Sequence, residues 1–182
     1  MNKSLLGLLM FIGSEVMFFG GLISVFLILR SGSVVWPPAN QPLLPQTVTA
    51  INTFFLLVSG LTMHHSLKSI RANKGRNLLR WLSGTAVLGV TFLAIQGSEW
   101  IRLVGYGLTM TSSIYGGTFY ALIGCHGLHV FGAVISLLFV LKKAFSGGYS
   151  VKAHTGVALC TMYWYFVVAI WPILYILVYL NF

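Results

Sequence analysis

The two glutamates and five histidines of this sequence are of types that carry proton-transfer or metal chemistry: Glu15, Glu99, His64, His65, His126, His129 and His154. Glu15 and Glu99 are its only acids. Both sit inside long apolar runs, where an ionisable group is costly and marks a functional hypothesis. Glu15 lies about eleven residues from the start of its run, which at about 1.5 Å per residue is near mid-bilayer depth. A hydrogen-bonded structural carboxyl and a proton-exchanging one are both open there. Glu99 lies at the far end of another run, beside Trp100 and three residues before Arg102, a spacing that places acid and base on one helix face. An interfacial ion pair is the simpler reading of that site.

His126 and His129 are three residues apart and share roughly one side of a helix. Two such imidazoles can ligate a metal or haem, but a closed site takes three or four ligands, and no Cys or acid stands at matching local spacing. Buried hydrogen bonding is the alternative. The row at every fourth position around them is Gly117, Ala121, Cys125, His129 and Ala133, nearly all small. Small residues at that spacing let two helix backbones approach closely, so His129 is expected to face a neighbouring helix rather than lipid. We therefore expect Glu15 and His129, at similar depth, to join one buried polar cluster with His126 nearby. His64, His65 and His154 fall near the ends of apolar runs beside Lys68 and Lys152, where a solvated interfacial role competes with proton collection. Cys125 and Cys160 are far apart inside apolar stretches and read as small packing residues rather than as a disulfide or metal pair. No phosphate loop, nucleophile triad or paired-carboxylate motif is present, and no catalytic residue is assigned.

The elements that must position these groups follow from composition. With 57% hydrophobic and 7% charged residues, the chain is far from the roughly one-quarter charged content of soluble domains. At about 20 apolar residues per membrane span, its 182 residues hold one integral membrane domain and no separate aqueous one. Five spans are expected, at 4–30, 48–67, 81–104, 117–141 and 153–180, the last continuing almost to Phe182 with a kink at Pro172, whose ring removes one backbone hydrogen bond. Prolines from Trp36-Pro37-Pro38 to Pro45 break the first connector, Asn73-Lys74-Gly75 marks the second, Gly105 to Gly117 the third, and Ser146-Gly147-Gly148 the fourth. The fold class is an all-α, polytopic bundle of five transmembrane helices.

The net charge of +9 arises from missing acids, since 11 bases face only 2 acids. These bases occupy short breaks between apolar runs, not a folded polar surface, so nucleic acid is not expected as a partner. Lys3, Lys68, Arg71, Lys74, Arg76, Arg80, Lys142, Lys143 and Lys152 fall on one side of the membrane, and Arg30 and Arg102 on the other. That bias puts the amino terminus in the cytoplasm and the carboxyl terminus outside.

Several segments in register resemble subunit III of the haem-copper respiratory oxidases. They are Gly13-Ser14-Glu15-Val16-Met17-Phe18-Phe19-Gly20, Trp36-Pro37-Pro38, Asn52-Thr53 with Ser59-Gly60 and His64-His65, and Gln96-Gly97-Ser98-Glu99-Trp100. The most distinctive is Ser113-Ile114-Tyr115-Gly116-Gly117-Thr118-Phe119 leading into Gly124-x-His126-Gly127-Leu128-His129-Val130, followed by Tyr163-Trp164-Tyr165-Phe166-Val167 with Trp171. The chain looks like the short five-helix bacterial form, which lacks the first two helices of longer members. In the last helix the family usually has His after Tyr-Trp and Asp three residues later, where this sequence has Tyr165 and Val168.

The resemblance implies a non-catalytic subunit of a proton-pumping terminal oxidase in aerobic respiration, with cytochrome c as the expected electron donor. It implies no cofactor in this chain, with haem and copper in partner subunits and phospholipid as an allowed ligand. The implied partners are catalytic subunit I, subunit II, further respiratory subunits or a supercomplex, and membrane lipids. The implied location is the bacterial inner (plasma) membrane. Its proposed roles are stabilising subunit I and supporting proton uptake. A quinol oxidase subunit III and an accessory protein of a nitric oxide reductase share the same signature. A small proton-coupled transporter and a haem-carrying quinol cytochrome are alternatives of a different class.

Overall fold

The computed structural model describes residues 3–38, 41–42 and 44–180. Asn181 and Phe182, toward which the sequence reading extends the last span, lie outside the described residues. The chain is all helical, with α1 at Lys3–Ser31, α2 at Gln46–Arg71, α3 at Gly75–Gly105, α4 at Ile114–Phe145 and α5 at Thr155–Leu174. A π turn, Tyr175–Tyr179, continues α5 directly. All five helices are long and apolar enough to cross a membrane. Helices meet that requirement because each satisfies its own backbone hydrogen bonds where no water is available.

The helix ends have local chemical causes. Pro45 precedes α2, and its carbonyl accepts from both the backbone and the hydroxyl of Thr49. Ser113, in extended conformation, caps α4 by accepting from the Gly116 N–H at 3.0 Å. Helices α2, α3 and α4 all end in the same Schellman arrangement, where two successive N–H groups return to carbonyls of the last turn. Asn73 and Lys74 donate to Ile70 and Ser69, Gly107 and Leu108 to Val104 and Leu103, and Gly147 and Gly148 to Ala144 and Lys143. The pivot residue is left-handed each time, with φ of 57° at Asn73, 88° at Gly107 and 67° at Gly147. Asparagine and glycine are the residues that tolerate this conformation.

The helices extend into polar and basic sequence beyond the apolar runs, as in the Lys68–Arg71 turn of α2 and the Gly75–Arg80 start of α3. Pro172 lies inside α5, three residues before the π turn Tyr175–Tyr179. The widened end exposes carbonyls that other elements capture. Arg30, at the end of α1, donates to Leu177 O at 3.1 Å, and Gln46, opening α2, donates to Tyr179 O at 2.9 Å.

Helix α5 forms the centre, with Trp164, Trp171 and Leu174 fully buried. Helices α2 and α3 make the most extensive pairing, and both α2 and α4 pack on α5. The packing is tight at Gly89 of α3, where an added methyl would lie 2.6 Å from the Trp164 ring. At Gly60 of α2 it would lie 3.3 Å from Val168, so small residues set the approach of α2 to α5. Helix α1 is peripheral. It touches α4 and α5, and its two buried residues are Phe19 and Phe26.

Candidate functional site: a mid-helix polar pair and its aromatic surround

Phe19 anchors α1 against α4, with its ring centroid 5.1 Å from His129 and 6.3 Å from His126. One turn earlier on α1, Glu15 reaches His129, with Oε2 and Nε2 2.8 Å apart. The other ring nitrogen of His129, Nδ1, lies 2.6 Å from the Cys125 carbonyl one turn back on α4. A carbonyl only accepts, so Nδ1 carries the hydrogen. The hydrogen bond at Nε2 then has two forms: a protonated Glu15 donating to neutral imidazole, or an imidazolium donating to a carboxylate. Both forms are neutral overall. Both side chains are under one-fifth exposed.

His126 takes a different environment from its neighbour. It is stacked on Trp171 at 5.0 Å and 27°, with Phe92 and Phe19 edge-on, and neither ring nitrogen has a protein partner. Its position in this aromatic box follows from the helical offset, which turns His126 toward α5 while His129 faces α1. Of the small-residue row, Ala133 is fully buried, Ala121 and Cys125 are half-buried, and Gly117 sits against the Met110 carbonyl of the α3–α4 connector.

Glu99 and Arg102 form an ion pair on α3 at 3.0 Å, with the Glu99 side chain 8% exposed and that of Arg102 66% exposed. The three remaining histidines reach different neighbours. His64 Nδ1 hydrogen-bonds to the Tyr165 hydroxyl at 2.9 Å, linking α2 to α5. His65 stacks on Trp81 of α3 at 4.9 Å. His154 immediately precedes α5, with its Nδ1 buried and unpartnered. Tyr165 thus supplies a cross-helix polar contact, while Val168 fills an apolar position against Gly60.

A polar seam on α2 escapes the reading of ionisable residues. Asn52 donates to the Phe92 carbonyl at 3.1 Å, Trp171 to Thr53 at 2.8 Å, and Trp164 to Ser59 at 3.1 Å. Thr62 and Thr85 are 2.8 Å apart, and Gln96 donates to the Tyr179 hydroxyl at 2.9 Å. The signal was the spacing of Thr49, Asn52, Ser59 and Ser66 along one face of an otherwise apolar helix. Such residues act as polar links between helices that lack a hydrophobic drive to associate in lipid.

As for metal chemistry, no three His, Cys, Asp or Glu side chains gather into a ligand set among the described residues. His129 uses both ring nitrogens for hydrogen bonds, and His126 is enclosed by aromatic rings.

Comparison with known proteins is consistent along the whole chain. A sequence model of the family described as cytochrome c oxidase subunit III matches residues 2–181. The cytochrome c oxidase subunit 3 of Thermostichus vulcanus is 38% identical over 176 residues, covering 96% of this chain and 86% of that protein. The subunit of the same name from Synechocystis sp. is 37% identical, covering 96% and 74%. A probable cytochrome c oxidase subunit 3 of Mycobacterium leprae is 32% identical, covering 98% and 88%.

Proposed function

The chain belongs to the cytochrome c oxidase subunit III family, and from that premise we propose that it packs against catalytic subunit I of a bacterial terminal oxidase, stabilises it and supports proton uptake. Members of this family are non-catalytic multi-pass membrane subunits of haem-copper oxidases. In this reading haem and copper reside in the partner subunits, cytochrome c is the electron donor, and the complex lies in the plasma membrane. The nine bases gathered at one side of the bundle are the cytoplasmic ones.

The observation that carries the proposal is how the intramembrane polar groups are used. Glu15, His129, Asn52, Gln96, Trp164 and Trp171 bond to other helices, which is what a packing subunit requires of them. The reading of proton uptake rests on His64, His65 and His154, which lie near the ends of α2 and α5 in sequence beside Lys68 and Lys152.

Affinity purification of the tagged chain from its native membranes in mild detergent tests this, with a visible spectrum and mass spectrometry of the co-purifying subunits. Haem a together with a copper-bearing subunit II is the expected result. Haem with no such subunit moves the reading to a quinol oxidase. A haem-free chain with no oxidase partner overturns it in favour of a small proton-coupled transporter.

A further inference from the structure

The hairpin between α2 and α3 is both cationic and ordered. Lys68, Arg71, Lys74, Arg76 and Arg80 crowd into residues 68–80, and all five are exposed. The acidic side chains of the chain are engaged elsewhere, Glu15 by His129 and Glu99 by Arg102, so these cations have no counter-ion among them. The turn that carries them is closed by its own backbone: α2 ends at Arg71, α3 starts at Gly75, and the Asn73 and Lys74 N–H groups bond to Ile70 and Ser69. Orienting a span needs only basic residues near its end. A cluster held on ordered turns adds mutual repulsion, which an external counter-charge relieves.

Depth divides the cluster into two tiers. Trp81, an interfacial residue type, begins the apolar part of α3 and stacks on His65 of α2 at 4.9 Å, which sets one level on both helices. From that level α3 runs back to Gly75 and α2 runs on to Arg71, about 9 Å in each case at about 1.5 Å per residue. The polar headgroup layer outside the hydrocarbon is only about 5–7 Å deep. Lys68 and Arg80 fall inside it. Arg71, Lys74 and Arg76 stand at its outer edge or beyond, in water.

We propose that Arg71, Lys74 and Arg76 dock a water-exposed acidic segment of a partner subunit, one that presents two or more carboxylates within a helical turn. The height of this tier favours a protein carboxylate over the membrane surface, whose charges lie below it. A second copy of this chain is not the occupant, because Glu15 and Glu99 are its only acids and both are committed inside the bundle. Cations already fixed on closed turns lose little freedom on binding, which favours a specific contact. The inference rests on the placement of the chain in an oxidase complex and adds the position and chemistry of one contact in it.

The test treats the complex, co-purified through the tagged chain, with a water-soluble carbodiimide that condenses a carboxyl group with a lysine amine, and identifies the joined peptides by mass spectrometry. At low salt Lys74 should be joined to an Asp or Glu of a co-purifying subunit. The yield should fall about threefold in the Arg71→Gln, Arg76→Gln double variant, the effect of losing two exposed ion pairs. It should also fall in about 1 M salt, where the screening length is about 3 Å. Lys142→Gln, at the end of α4, should leave it unchanged. Partner subunits present with no cross-link at Lys74 overturn the inference and leave the oxidase reading standing, as does a yield that neither the double variant nor salt reduces. A preparation with no partner subunit removes both. A photoreactive side chain at position 74 that labels lipid rather than protein in native membranes overturns the inference in favour of the membrane surface.

Discussion

Glu15 of α1 and His129 of α4 meet at 2.8 Å, and the Cys125 carbonyl orders the imidazole by accepting from Nδ1, which leaves Nε2 for the carboxyl group. This is a polar link between α4 and a helix that also holds to the bundle through the Arg30 bond to Leu177 O and the apolar contacts of Phe19 and Phe26. Glu15→Gln keeps a donor for Nε2 and should lower stability of the purified protein by less than about 1 kcal/mol. Glu15→Ala strands that nitrogen and should cost about 1–3 kcal/mol. Thermal unfolding in one detergent checks both, and equal losses in the two variants would show that the hydrogen bond contributes nothing.

Gly89 is the position where the bundle has least room. A methyl there would lie 2.6 Å from Trp164 and 3.2 Å from Val134, and Trp164 cannot easily swing away because its indole donates to Ser59. Gly89→Ala should therefore cost about 1–3 kcal/mol, the usual range for overpacking. Gly124→Ala, whose methyl meets nothing within 4 Å, should be neutral or gain about 0.5–1 kcal/mol from helix propensity. Parallel melting curves decide, and a tolerated Gly89→Ala would contradict the packing described.

The Glu99–Arg102 pair is asymmetric, with the acid enclosed and the base mostly in water. Removing the base leaves a carboxylate without its counter-ion, whereas removing the charge of the acid frees an arginine that water solvates. Arg102→Gln should consequently destabilise more than Glu99→Gln, and the double variant should recover part of the loss. Chemical denaturation of the four proteins measures the coupling; the reverse order of the two single variants would refute the argument.

Sidedness can be read chemically. In a Cys125→Ala, Cys160→Ala background, Thr111→Cys in the α3–α4 connector should react with a membrane-impermeant maleimide added to intact cells. Ser150→Cys in the α4–α5 connector should react only after permeabilisation. The opposite pattern would invert the orientation derived from the nine-to-two distribution of bases.

Much of the architecture was legible in the amino-acid order. Apolar runs long enough to span a membrane become helices in lipid because no other open structure satisfies the backbone there, and no partner is needed to decide it. The polar breaks carried the turns, down to Asn73, Gly107 and Gly147 as residues that accept a left-handed backbone. Glu15, His126 and His129 stood out because polar groups in such runs are rare.

Which group each of them touches was settled by the tertiary structure. Lateral packing in a membrane leaves little amphipathic signature, since lipid-facing and protein-facing surfaces are both apolar. Helix α1 is strongly apolar along its length yet has two buried residues, Phe19 and Phe26. One turn of α4 sends His129 to a carboxyl and His126 into a box of aromatic rings, a difference of angle that spacing alone does not assign to neighbours. Likewise His64 and His65, adjacent in sequence, go to Tyr165 of α5 and Trp81 of α3. The order of residues determines where helices run because that depends on each segment and its solvent. Their pairing depends on the shapes of surfaces brought together from distant parts of the chain, as when Gly60 admits Val168 and Gly89 admits Trp164.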